Sequence, residues 1–145
     1  KIKKISWIRT HISVIINCTP DLDNNHINGC QIFRCPMIDG QKGNSNWKAM
    51  KKGSDLICQF LGNTESDFQD WAKNTGRPIK GVLVHCHQGL NRSASVIACY
   101  LIRYLKWDAF FTIKWIQMKR SGSLNYLGFR KMLWKWGRIM EEKNK

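Results

Sequence analysis

Residues 81–101 read GVLVHCHQGLNRSASVIACYL. Gly81 to His85 is a nearly continuous apolar run, the composition of a strand buried at the centre of a parallel sheet. From Ser93 to about Leu105 the chain is apolar almost all round, which predicts a central helix. Between them lies a short turn, Cys86-His87-Gln88-Gly89-Leu90-Asn91-Arg92. Strand, tight turn and helix N-terminus together make a place for an anion. The first N–H groups of a helix lack intrahelical acceptors, and the helix dipole adds about half a positive charge there. A turn whose N–H groups converge forms a nest for phosphate oxygens. Gly89 accepts a positive φ without a Cβ clash. Arg92 carries the planar fork that grips two oxygens at once.

Cys86 stands on the floor of this nest. An ordinary thiol with a pKa of ~8.5 is only about 3% ionised at pH 7, and a fall of ~3 units makes it almost wholly thiolate. The groups that hold phosphate would thus activate the sulfur that attacks it, giving a phosphocysteine that water then hydrolyses. Ser93 is placed to donate a hydrogen bond to the departing sulfur, and His85 to brace the loop. His87, Gln88, Gly89, Leu90 and Asn91 join Arg92 in binding the phosphate. No metal or cofactor is called for: the His85, Cys86 and His87 cluster has no C-x2-C partner, and no Walker loop exists.

The remainder of the chain alternates strand and helix. HISVIIN (11–17) reads as a strand, and CQIFRCPMI (30–38) as a second one whose Pro36 marks an edge or an end. DGQKGNSN (39–46) has loop composition. Helices are expected over 55–73, near 108–119 and near 126–142. The sum is one α/β domain, residues 1–145. With 24 Lys and Arg against 10 Asp and Glu, the net charge of +14 asks for an anionic partner: phosphate, nucleic acid or an acidic protein surface. The six cysteines lie in a chain with a sizeable core and are expected as free thiols, in a cytoplasmic or nuclear setting. No apolar run approaches the ~18 residues of a membrane span, so no membrane partner is expected.

VHCHQGLNRSASVIACYLI resembles the signature of the cysteine-dependent dual-specificity protein phosphatases. SVIINCTPDL is similar to that family's strand and N-x-T-P turn. RCPMID is similar to the strand ending in its general-acid Asp. WDAFFTIKWIQMKRSGSLNYLGFRKML is similar to its last two helices and their linker. The resemblance implies a phosphotyrosine-phosphatase-like fold: a central mixed sheet of about four to five strands flanked by helices, with the phosphate loop between a central strand and a helix. It implies metal-free hydrolysis of phosphotyrosine and phosphoserine or phosphothreonine in proteins. It makes Cys86 the nucleophile, Arg92 the phosphate-binding residue, Ser93 the aid to thiolate departure and Asn125 a support of the loop.

The general acid it implies is Asp39, with Asp55 as the alternative. Asp39 lies 47 residues before Cys86 and Asp55 31 before it. Choosing Asp39 implies an insertion over 41–53. The family's N-terminal hairpin is expected to be absent or cut, and Leu124 replaces its usual linker proline. Asn91, before the arginine, is similar to the related RNA 5′-triphosphatases, which supply the alternative substrate. A catalytically weak module that binds phosphoprotein is the alternative outside enzymology.

Overall fold

The structure is a computed structural model and describes residues 7–8, 11–24, 27, 29–39, 44–63 and 81–144. The β-branched run Ile12–Asn17 forms β1, Gln31–Arg34 forms β2 and Gly81–His85 forms β3. The order is β2-β1-β3, with both pairings parallel. Ile15 lies opposite Ile32 on one side and Leu83 on the other, and Asn17 opposite Arg34 and His85. All three strands therefore end at one edge, where the chemistry of open α/β sheets gathers.

Three features of the sheet differ from the sequence reading. The described strands number three and are all parallel, where about four to five in a mixed sheet were expected. β1, not β3, is the buried centre: five of its six residues are buried, whereas all of β3 is half-buried. β2 is an edge strand that covers only Gln31–Arg34 of the expected 30–38, and Pro36 lies just past its end, in keeping with the edge or end that the proline suggests.

Among the described residues four helices follow: α1 (Asn44–Leu61) and α2 (Arg92–Arg103), which pack on the sheet, and α3 (Ala109–Lys119) and α4 (Leu127–Lys143), which pack on α2. α2 is central, with ten of its residues buried, and it packs on α1, α3, α4 and β3. Val14, Ile16, Met37, Met50, Val96, Ile102, Phe129 and Leu133 form the heart of the core. Each such side chain contributes about 1.5–3 kcal/mol on burial.

α1 corrects the sequence reading most. The helix expected over 55–73 begins at Asn44 and ends at Leu61, where the Gly62 N–H bonds to the Cys58 carbonyl. The loop assigned to 39–46 and the insertion assigned to 41–53 are helix from Asn44 onward; residues 64–80, including the rest of the expected helix and its following turn, lie outside the described residues. Asn46, Met50, Gly53, Ser54 and Ile57 are buried on one face, at helical spacing. Gly53 lets α1 approach α2 closely: a Cβ there would lie 2.7 Å from the Val96 side chain.

One arginine at the end of α2 ties it to the middle of α1 and of α4. Arg103 Nη1 donates to Ser54 Oγ at 2.6 Å and to Asp55 Oδ1 at 2.7 Å. Its guanidinium lies 4.4 Å above the Trp136 ring of α4, which stacks on Trp47 of α1 at 4.4 Å. The Tyr104 hydroxyl also donates to Asp55 Oδ1. Asp55 is thus mid-helix and bound to the end of α2, away from the edge where β3 ends.

Candidate active site

β3 delivers His85 to the carboxyl edge of the sheet, and the chain turns at once. Gly89 has φ +73°, and its N–H donates to Cys86 Sγ at 3.2 Å. Ser93 Oγ lies 3.3 Å from the same sulfur. Burial pushes the Cys86 thiol up, but the Ser93 hydroxyl, the main-chain N–H groups of Ser93 and Gly89 and the Arg92 guanidinium outweigh it; the thiol is held below its ordinary value. Cys18, Cys35 and Cys99 go the other way, each raised first by burial, Cys99 to about 12. Cys18, Cys35, Cys86 and Cys99 are free thiols.

Arg92 opens α2 and is 7% exposed. Its Nη1 donates to the Met37 carbonyl at 3.1 Å, while its buried Nε has no hydrogen-bond partner among the described residues. An unpaired buried donor costs about 1–3 kcal/mol. The Met37 backbone is fixed in turn: its N–H donates to the Cys18 carbonyl at 3.1 Å, and the Cys18 N–H donates to the His85 carbonyl at 2.8 Å. One chain of bonds thus runs from the end of β3 through the turn after β1 to the arginine. His85 is half-buried. Burial holds its imidazole below the usual value, a hydrogen bond to the Cys86 main chain opposes this, and Arg34 adds to the lowering.

The loop's outer residues are braced from the α3–α4 linker. The Leu124 N–H donates to the Leu90 carbonyl at 2.7 Å, and the Tyr126 N–H to Asn91 Oδ1 at 3.2 Å. Leu124 is fully buried, with φ +57°. Asn125 itself is exposed, and among the described residues its side chain makes no hydrogen bond to the loop; the support the sequence assigned to it comes from the backbone on either side. Gln88 is exposed. Beside Gly89 and Ser93 opens a cleft of about 310 Å³ that Trp115, Lys119 and Arg120 also line. A larger one, about 450 Å³, lies beyond the far end of α2, between Trp107 and Trp134, and shares no residue with the loop.

Two polar groups at the site were missed in the sequence. Asp21 Oδ1 lies 3.0 Å from His87 Nε2, and that hydrogen bond is the main reason its carboxyl is held below the usual range. The turn carrying Asp21 is locked by Asn17, whose Oδ1 accepts from the Thr19 N–H at 3.0 Å and whose Nδ2 donates to the Leu22 carbonyl at 2.9 Å. Asn46, on the first turn of α1, bonds to both backbone groups of Ile38, the residue before Asp39. Asp39 is exposed and follows the pinned Met37–Ile38 pair. Thus Cys86, Arg92, Ser93 and the loop are brought together, Asp39 lies two residues beyond the backbone that Arg92 holds, and Asp55 is elsewhere. Asp21 and Asn46 left no signal in the sequence beyond an Asx residue in a turn and another in a polar stretch.

The comparisons agree with this geometry. The family described as "Dual specificity phosphatase, catalytic domain" matches residues 2–139. The chain belongs to that family. It is 33% identical over 66 residues to the dual specificity protein phosphatase CDC14C of Symphalangus syndactylus, a match covering 38% of this chain and 14% of that protein. It is 35% identical over 68 residues to CDC14A of Homo sapiens, covering 43% of this chain and 11% of that one. The chain therefore matches only a small part of the length of these curated relatives. Among solved structures, human DUSP28 superposes with a TM-score of 0.71 at 16% identity, over 95% of this chain and 85% of the other. DUSP15 does so with a TM-score of 0.71 at 17% identity, over 99% and 80%. These likenesses carry the fold.

Proposed function

We propose that this domain hydrolyses phosphate monoesters on tyrosine and on serine or threonine of proteins, through a phosphocysteine on Cys86. The observation that carries the reading is the Cys86 sulfur, bonded to the Gly89 N–H and the Ser93 hydroxyl and shifted toward thiolate beside Arg92. The thiolate attacks phosphorus and the bond to the ester oxygen breaks. Asp39 gives its proton to that oxygen, a step of the kind that contributes ~10²–10⁴ in rate. Arg92 Nε and the main-chain N–H groups at the start of α2 stabilise the charge gathering on the phosphoryl oxygens. Water then attacks the phosphocysteine and loses a proton to the Asp39 carboxylate. Sulfur leaves as thiolate, with the Ser93 hydroxyl donating to it.

The RNA alternative rests on Asn91 and on the net charge of +14, and the Asp39 of PMIDG weighs against it. The Asn91 side chain is 7% exposed and accepts from the Tyr126 N–H, which accounts for an asparagine there without an RNA substrate. The test is phosphate release from a phosphopeptide panel and from 5′-triphosphorylated RNA, wild type beside Cys86→Ser. Peptide turnover that vanishes in the variant is expected, while binding of a phosphate analogue persists. Turnover surviving in Cys86→Ser would refute the thiolate mechanism. Binding of phosphopeptide with no release by the wild type would make the domain a binding module.

A further inference from the structure

We propose that Asn46 is a positioning residue that aims Asp39; this rests on the reading of Asp39 as the acid. Asn46 is 1% exposed on the first turn of α1. Its Nδ2 donates to the Ile38 carbonyl at 2.9 Å, and its Oδ1 accepts from the Ile38 N–H at 2.9 Å. The carboxamide thus stands in for a neighbouring strand's peptide, gripping both backbone groups of the one residue that precedes the acid. Asparagine is a poor helix former and costs free energy to bury unless its amide is bonded. These two bonds account for its presence inside α1.

Packing fixes Met37, which is fully buried, but not Ile38, whose side chain is 47% exposed. Fixation comes through the backbone. Met37 bonds to Cys18 through its N–H and to Arg92 through its carbonyl, and Ile38 bonds twice to Asn46. The Arg92 and Asn46 side chains therefore clamp consecutive residues, and Asp39 leaves the clamp with an exposed side chain. The phosphate-gripping residue and the acid share one short anchored backbone. Displacing a reacting group by about 1 Å costs as much as ~10²-fold in rate, so the clamp matters most where the leaving oxygen needs a proton.

The test pairs substrates with variants. The substrates are a phosphoserine peptide, whose alkoxide must be protonated, and an aryl phosphate with a strongly acidic phenol, which leaves without help. Asn46→Ala should lower kcat on the peptide at least about tenfold and change kcat on the aryl phosphate far less. It should also erase the acid-dependent limb of the pH profile. In an Asp39→Asn background it should cost nothing further on the peptide. Should Asn46→Ala melt below assay temperature, Asn46→Asp keeps the acceptor for the Ile38 N–H, loses the donor to its carbonyl and serves the same comparison. Equal losses on both substrates, or a loss that persists undiminished in the Asp39→Asn background, would make Asn46 purely structural and overturn the proposal. A harmless Asp39→Asn would instead remove the acid assignment, and the proposal with it.

Discussion

Cys86 and Cys99 lie thirteen residues apart in the same hydrophobic cluster, yet their thiols are shifted in opposite directions. Both pay desolvation. Cys99 has Ser54 Oγ at 3.5 Å and the Arg103 guanidinium to offset it, with Asp55 working against them, whereas Cys86, less deeply buried, has Ser93 at 3.3 Å, the Gly89 N–H at 3.2 Å and the guanidinium of Arg92. A lowered thiol ionises earlier as pH rises. Alkylation of Cys86 by iodoacetate should therefore half-saturate below the ~8.5 of an ordinary free cysteine, while Cys18 and Cys99 stay unreactive until the chain unfolds. Mass-mapped alkylation against pH reads this directly, and a midpoint at the ordinary value would contradict it. At this scale the sequence was most informative, because the strand, the glycine turn and the helix start are contiguous. Asp21 was hidden because its partner, His87, is 66 residues away and only the parallel β1–β3 pairing makes them neighbours.

At the scale of elements, α1 shows why a helix can read as a loop. Its buried face has the right period, but Asn46, Gly53 and Ser54 occupy it beside Met50 and Ile57. Polarity masked the stripe: Asn46 is buried because Ile38 satisfies it, and Gly53 because Val96 fills the space. Asp55 belongs to the same element. Burial pushes its carboxyl up, but the Tyr104 hydroxyl, Arg103 and Lys51 outweigh this and hold it below the usual carboxylate range. A depressed carboxyl stabilises the fold above its ordinary pKa, and that contribution is lost as pH falls through the folded value. Asp55→Asn should thus lower stability at pH 7 by on the order of 1 kcal/mol, discounted for the part-exposed carboxylate. The gap in Tm should close below about pH 4, and kcat should hold at all pH. A tenfold loss of kcat would return Asp55 to candidacy as the acid.

At the scale of the molecule, charge dominates. The net charge is +14, and from Ala109 to Met140 the chain has seven Lys and Arg and no Asp or Glu. Lys119 and Arg120 of this stretch line the cleft beside the phosphate loop. Such a field raises encounter rates with anions, by tenfold or more where it is focused, and salt screens it over about 10 Å at 0.1 M. The kcat/KM for a phosphopeptide with acidic flanks should fall severalfold between low and high salt, and that for a peptide with basic flanks should hold or rise. Indifference of both to salt would show that the charge only solvates the surface. The sequence supplied the sign of the partner but not the face that meets it, because the basic residues are dispersed along the chain and only folding sets Lys119 and Arg120 beside Gly89.

The backbone of Leu124 bears on how this domain should be engineered. Replacing each position by the residue commonest among relatives is a standard way to gain stability, and the resemblance puts proline here. Proline cannot adopt φ +57° and has no N–H to give to the Leu90 carbonyl. Leu124→Pro should therefore cost about 3 kcal/mol or more, seen as a lower Tm, and a consensus-built version of this chain must leave that position alone.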